Sequence, residues 1–278
     1  MQSITPLEFE QLSTLLYQQT GVYLQPTQTY LIETRLSRLI LQLGLNSVSQ
    51  LLNRLHSDPK LLPRLISLMT THETLWFRDF SCWNALEKAI LPTFLQQIAH
   101  RKQLIKIWCA GCSTGQEAYS LAILIDELCR KQQRIDWVHY FSIRAMDICE
   151  NVLETAKQAQ YNRFEMERGL SMQRRLQYFQ NHAHGHWQLI PEIRHRVFFE
   201  SINLIHDFSH LGEFDLILCR NVTIYFKPEV RQYILMKMAT MLKSKGALFI
   251  GATESLAKSI GEVNLMEFEN CVYIQSKN

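Results

Sequence analysis

Ile107-Trp-Cys-Ala-Gly-Cys-Ser-Thr-Gly-Gln-Glu-Ala-Tyr-Ser120 joins an apolar run to a helical one through a turn of small residues. Such a join reads as a strand handing over to a helix whose free N–H groups face the turn. Gly111 and Gly115 allow a positive φ and close backbone approach, and Ser113 and Thr114 are placed to cap the helix. A second strand-like run, Tyr140–Met146, ends at Asp147, whose carboxylate can accept hydrogen bonds from ribose hydroxyls. Gly111 and Asp147 lie 36 residues apart, against roughly 20 in a dinucleotide fingerprint. The pair reads as a nucleotide cradle, and the longer gap weakens the dehydrogenase reading.

Cys109 and Cys112 in this stretch imitate a redox Cys-x-x-Cys. Cys109 falls inside the strand, however, with glycines and Thr114 following, so both read as small packing residues. The seven cysteines (82, 109, 112, 129, 149, 219, 271) are odd in number and scattered, and no charged-then-apolar leader precedes them. That usage favours a reducing cytoplasm over a disulfide framework.

Outward from the turn, the chain divides. Residues 1–70 carry helix signals and almost no strand signals. Thr5-Pro6-Leu7-Glu8 combines a cap, a proline and a capping-box glutamate, and Gly21 is a stop. Leu31, Leu36, Leu39, Ile40 and Leu43 recur at helical spacing up to Gly44, and Asp58-Pro59 opens another apolar helix. From Leu104 onward, strands alternate with helices: Leu104–Cys109, a helix to about Arg130, Tyr140–Met146, and a helix from about Cys149 to Ala159. After an interruption come Val197–Glu200, Phe214–Cys219, a helix from Pro228 to about Leu242, Ala247–Gly251 behind a Lys245-Gly246 turn, and a last strand over Glu267–Gln275. The pattern predicts an α/β doubly wound, mostly parallel sheet closed by an antiparallel strand, over residues 71–278. Residues from about 161 to 196 read as a small inserted subdomain, and residues 1–70 as an all-helical N-terminal domain.

The 278 residues are 47% hydrophobic with a formal net charge of +3, enough for a substantial core and too mildly basic to imply nucleic-acid binding. No apolar run approaches the roughly 18 residues of a membrane span. Arg163, Arg168, Arg174, Arg175, Arg194 and Arg196 crowd the insertion, a local excess suited to an acidic protein surface. His182, His184 and His186 alternate in a polar turn, but no carboxylate or cysteine partner stands nearby, and no metal site is expected.

Three segments point together: Thr70-Thr-His-Glu-Thr-Leu-Trp-Phe-Arg-Asp79, the glycine turn running into Gln116-Glu-Ala-Tyr-Ser120, and Cys219-Arg-Asn-Val-Thr-Ile-Tyr-Phe226. In this order and spacing they resemble the CheR family, chemotaxis receptor glutamate O-methyltransferases that use S-adenosylmethionine. The likeness spans nearly the whole chain. It implies a methyltransferase sheet with an inserted subdomain, with the helical domain a candidate for receptor docking. On the matching motifs it implies cofactor contacts at Thr74, Arg78, Glu117, Asp147, Asn203, Leu204, Arg220 and Asn221, with His72 and Gly111 in the same region and Asp147 as ribose partner. Arg78 and Tyr225 would flank the transferred methyl as catalytic residues. Three positions depart from the family: His72 for the usual Asn, Gln116 for a frequent Glu, and Ala118 for a frequent Pro. The single Gly185 in the insertion's loop implies a member that needs no C-terminal receptor tether.

The resemblance further implies methyl esters on glutamates in the cytoplasmic helical domain of methyl-accepting chemoreceptors, S-adenosylhomocysteine as product, an opposing methylesterase, and a cytoplasmic enzyme that neither enters the membrane nor binds nucleic acid. A catalytically weak cofactor- or receptor-binding module, or a methyltransferase with another acceptor, is the alternative.

Overall fold

Thr5 and Glu8 start the first helix by exchanging hydrogen bonds. Glu8 N donates to Thr5 Oγ1 (3.2 Å) and Thr5 N to Glu8 Oε2 (2.9 Å), and Gly21 ends the helix at φ 74°. The computed structural model describes residues 3–252, 254 and 263–277. Its first four helices are α1 (Pro6–Thr20), α2 (Thr29–Gln42), α3 (Val48–Ser57) and α4 (Leu61–Met69), packed around Leu12, Leu16, Ile32, Leu36, Leu51 and Leu65. Glu8 Oε1 also accepts from Ser49 N and Oγ, both at 2.9 Å, so one carboxylate caps α1 and ties it to α3. Burial raises its pKa, but the Thr5 and Ser49 donors outweigh that and hold it at about 2.

A strap of residues 70–79 leads to α5 (Phe80–Ala85), a π-helical turn (Leu86–Ile90) and α6 (Leu91–Arg101). The alternating region follows: β1 (Ile105–Ala110), α7 (Gln116–Lys131), β2 (Phe141–Asp147) and α8 (Glu150–Gln158). The insertion is β3 (Gln160–Tyr161), α9 (Arg163–Glu167), α10 (Met172–Tyr178), β4 (Phe179–Asn181), β5 (Trp187–Leu189) and α11 (Pro191–Arg194), its strands forming a separate sheet in the order β3-β5-β4. Then come β6 (Val197–Ser201), β7 (Phe214–Cys219), α12 (Pro228–Thr240), β8 (Leu242–Ile250), β9 (Val263–Phe268) and β10 (Cys271–Ser276).

The main sheet runs β6-β2-β1-β7-β8-β10-β9. Its first five strands are parallel, with Cys109 of β1 opposite Ala145 of β2 and Leu218 of β7. β10 pairs antiparallel with β8, and β9 with β10. The strand order reverses between β1 and β7, which opens a crevice at their carboxyl ends. Among the described residues no helix is long and apolar enough to cross a membrane.

Two expectations need correction. Glu267–Gln275 is not one strand but parts of β9 and β10, reversed at Glu269 (φ 51°) and Asn270. Lys245-Gly246 does not precede β8 but lies within it. Phe214 pairs with Leu242 while Leu216 pairs with Ala247, so the extra residues form an irregularity with Lys245 at φ 61°.

Glu8→Ala should lower stability by about 1–2 kcal/mol at neutral pH, the usual cost of a lost cap. Unfolded, the carboxyl titrates near 4.3; folded, near 2. The Glu8 contribution is therefore complete above the unfolded value and vanishes as pH falls through about 2. Denaturant titrations of both proteins from neutral pH downward would check the converging stabilities.

Candidate active site

The residues named as cofactor-contacting or catalytic candidates, His72, Thr74, Arg78, Gly111, Glu117, Asp147, Asn203, Leu204, Arg220, Asn221 and Tyr225, all line one cavity over the crevice. The glycine turn forms its floor. Gly111 holds φ 69°, and a Cβ there would overlap the Val222 side chain, so only glycine lets the two loops close up. Gly111 N and Cys112 N both donate to Met146 O, at 2.7 and 3.0 Å, locking the turn to the end of β2. Asp147, the last residue of β2, accepts from Ser113 N (2.9 Å) and Cys149 N (3.0 Å). Burial raises its pKa despite those donors and the nearby His72.

Ser113 and Thr114 do not cap α7 with their side chains. Ser113 Oγ donates instead to His72 O (2.8 Å) and Thr114 Oγ1 to Gln116 Oε1 (2.8 Å), while Gly115 occupies the cap position. His72 Nε2 meets Ser67 O at 2.9 Å and Thr70 Oγ1 at 3.0 Å. Burial opposes a charged imidazole there, but hydrogen bonds to Cys149 and Ser67 and the Asp147 charge raise its pKa overall. Cys109 and Cys112 are buried, and burial pushes both thiols well up, which makes them inert.

The opposite wall is ionic. Arg220, its side chain 1% exposed, donates Nη1 to Glu117 Oε2 (2.8 Å) and Nη2 to Asp79 Oδ2 (2.8 Å) and Arg78 O (2.6 Å). Burial raises the Glu117 pKa, against the opposing charges of Arg220 and Arg78. Arg78 itself has no salt-bridge partner among the described residues. It sits between Phe77 (φ 48°) and Asp79 (φ 62°), two non-glycine residues in the left-handed region, a conformation that costs of order 1–3 kcal/mol each.

Reasoning from sequence missed two parts of the site. Glu254 is buried and accepts from Asn221 N, Thr223 N and Thr223 Oγ1 (each 2.7 Å) and Gly251 N (2.6 Å), fastening the loop that leads to Tyr225. A lone acid in a small-residue turn after an apolar strand was its only signal. The other part is Thr20–Leu24, which completes the cavity wall. Val22 bridges Phe226, Tyr23 N donates to Tyr225 O (2.9 Å), and Asn203 Nδ2 donates to Gln19 O (2.7 Å). Four of the insertion's arginines are paired: Arg163 with Glu167, Arg168 with Glu73, Arg174 with Glu127 and Arg196 with Asp126. His182, His184 and His186 occupy the turn between β4 and β5, and no metal-holding cluster occurs among the described residues.

Residues 72–272 match the family described as CheR methyltransferase, SAM binding domain, and residues 7–70 its all-alpha domain. The chain belongs to the CheR methyltransferase family. It is 37% identical over 255 residues to chemotaxis protein methyltransferase Cher2 of Pseudomonas putida and 38% over 250 to chemotaxis protein methyltransferase 1 of Pseudomonas aeruginosa, covering 90% of both chains in each case. With the chemotaxis protein methyltransferase of Vibrio anguillarum it shares 36% over 256 residues, 91% of both chains. This CheR protein is an S-adenosylmethionine-dependent methyltransferase of chemotaxis, and neither the binding-module reading nor that of another acceptor is favoured. The cavity fits the cofactor. Gly111 keeps its floor open to backbone approach, Asp147 retains acceptor capacity for a diol, and Glu117 Oε1 is not engaged by Arg220 and suits an ammonium.

Glu254→Ala would strand the amides of Asn221, Thr223 and Gly251, at about 1–3 kcal/mol for each buried donor left unpaired. Thermal melting should show a fall of several degrees or more, and a wild-type midpoint would remove Glu254 as the fastening of this loop.

Proposed function

We propose that this CheR protein transfers the methyl group of S-adenosylmethionine to glutamate side chains in the cytoplasmic helical domain of a chemoreceptor, giving glutamate methyl esters. A methylesterase would oppose it in the cytoplasm. The observation that carries the reading is the Arg78 guanidinium, left outside the Arg220 ion-pair network on a strained strap, in one cavity with Tyr225.

A glutamate acceptor has a pKa of roughly 4.3 and is already a nucleophile at neutral pH. No general base is then needed. Bound S-adenosylmethionine supplies an electrophilic methyl on a sulfonium centre. Asp147 would hold the ribose, Glu117 the amino-acid ammonium, and His72, Thr74, Gly111, Asn203, Leu204, Arg220 and Asn221 the remaining contacts. Arg78 would grip the acceptor carboxylate by charge-assisted hydrogen bonds, and Tyr225 would donate one more or shape the opening. Holding an attacking oxygen in line with the methyl can supply roughly 7–11 kcal/mol of the barrier. Too tight a grip would quench the nucleophile, because only interactions that strengthen in the transition state raise the rate.

Residues 1–70 form the proposed docking domain and 71–278 the methyltransferase domain, with the insertion at about 161–196. Since the insertion's arginines are largely paired, the helical face carrying exposed Tyr30 and Leu41 is the better candidate for receptor contact.

The acceptor class is tested by methyl transfer from labelled cofactor to purified receptor, followed by mild alkali. An ester releases its label as methanol; alkali-stable label would exclude glutamate esterification. Arg78→Ala should lose turnover by about 100-fold or more through lost orientation, with S-adenosylhomocysteine affinity near wild type by calorimetry. Asp147→Ala should instead weaken that affinity by about 10- to 100-fold, the worth of hydrogen bonds to a charged group. Unchanged binding would take Asp147 out of the cofactor site.

A further inference from the structure

The strained turn that carries Arg78 is gripped by the insertion at successive residues. Arg168 pairs with Glu73 at 2.6 Å. Trp76 is buried edge-on against Tyr161 (4.9 Å between ring centroids) and Phe179 (5.2 Å), and its N donates to Arg168 O at 3.2 Å. Gly169 passes so close to Trp76 O that a Cβ would overlap it. The last grip falls on Phe77 itself. The Arg174 guanidinium lies over the Phe77 ring, 3.7 Å from its centroid, and is anchored by Glu127 of α7 through two parallel bonds of 2.9 and 2.8 Å. The same helix supplies Ser120 Oγ to Phe77 N at 3.1 Å. Phe77 in turn packs edge-on against Trp83 (5.1 Å), whose Nε1 donates to Arg78 O at 2.8 Å.

Phe77 holds φ 48° without being glycine, so its left-handed conformation persists only where the surroundings over-determine it. Backbone hydrogen bonding to Ser120 fixes one side of the residue. Its ring needs a partner on its face, and Arg174 is that partner, because a planar cation on an aromatic face is attracted to the ring quadrupole.

We propose that Arg174 is a positioning residue for methyl transfer: stacked on Phe77 and anchored by Glu127, it holds the turn that aims Arg78 at the acceptor. The inserted subdomain thereby sets the rate of transfer while leaving cofactor affinity alone. This rests on the reading of Arg78 given above.

The test uses the full chain and measures kcat and KM for receptor methylation, S-adenosylhomocysteine affinity by calorimetry, and thermal midpoints. Arg174→Ala should lower kcat at least tenfold with cofactor affinity within twofold of wild type. Phe77→Leu should do the same, and the double variant should fall no further than either single one. Arg174→Lys, which keeps the charge but not the planar stack, should recover only part of the loss. A wild-type kcat in Arg174→Ala, fully additive losses in the double variant, or a change confined to KM would overturn the proposal. If Arg174→Ala does not fold, Glu127→Gln carries the same expectation, and a wild-type kcat there overturns it. Arg78→Ala separates the two readings. An inactive Arg78→Ala beside a fully active Arg174→Ala defeats only the positioning role, whereas a fully active Arg78→Ala defeats both.

Discussion

The site is organised around the buried guanidinium of Arg220. A cation this far from water must be matched by opposite charge, and losing one partner of such a group typically costs about 3–5 kcal/mol. Arg220 finds its partners on two other segments, Glu117 in the first turn of α7 and Asp79 at the end of the strap, and spends a further donor on the Arg78 carbonyl. Burial alone would weaken its charge, but the neighbouring acids keep it firmly cationic. Three stretches far apart in sequence are thereby drawn to one point. Glu117 and Asp79 balance Arg220 and Arg78 in charge, yet only Arg220 is tightly paired with them. Of these two cations, Arg78 is the one without a salt-bridge partner among the described residues.

Sheet topology explains why these stretches meet where they do. Strand order reverses between β1 and β7, so the loops leaving them diverge and open a crevice. Gly111 against Val222 closes its base, and Glu254 clamps the β7 loop from the far side. A crevice of this kind is open to water on top. Here the strap and Thr20–Leu24 roof it, the latter through a backbone bridge to Phe226 and a hydrogen bond to Tyr225 O. The N-terminal helices are consequently a wall of the cavity as well as a neighbouring fold unit. A helix face that touches the receptor there would be in mechanical contact with the loop bearing Tyr225.

The elements legible in the sequence were those written in local patterns. Thr5 to Glu8 announced α1, and the apolar runs of β1, β2 and β7 were bounded by glycine or acid. The motifs supplied most of the candidate residues of the cavity, because each motif is contiguous in the chain, while Asp147, Asn203 and Leu204 lie outside them. What escaped was set by distant partners. Glu254 is one acid among many until the amides of Asn221 and Thr223 converge on it, and Val22 gives no hint that it will pair with Phe226. The hairpin of β9 and β10 reads as one strand because Glu269-Asn270 lacks the glycine that usually marks a tight reversal. Most ion pairs of the arginine cluster were hidden for the same reason: the counter-charges Glu73, Asp126 and Glu127 lie outside the insertion.

His72 serves the site through its backbone and its imidazole separately. Its contact with the glycine turn is made by the backbone, where His72 O accepts from Ser113 Oγ, and Ser113 N in turn serves Asp147. Any residue able to hold that backbone could complete this relay. The imidazole faces a separate set of partners, the Ser67 carbonyl, the Thr70 hydroxyl and the Cys149 thiol, and these tie the end of α4 to the start of α8. Its charge nevertheless reaches Asp147, favouring the ionised carboxylate against a burial that disfavours it. Because the imidazole pKa is raised, that support is present below the raised value and fades as pH rises through it.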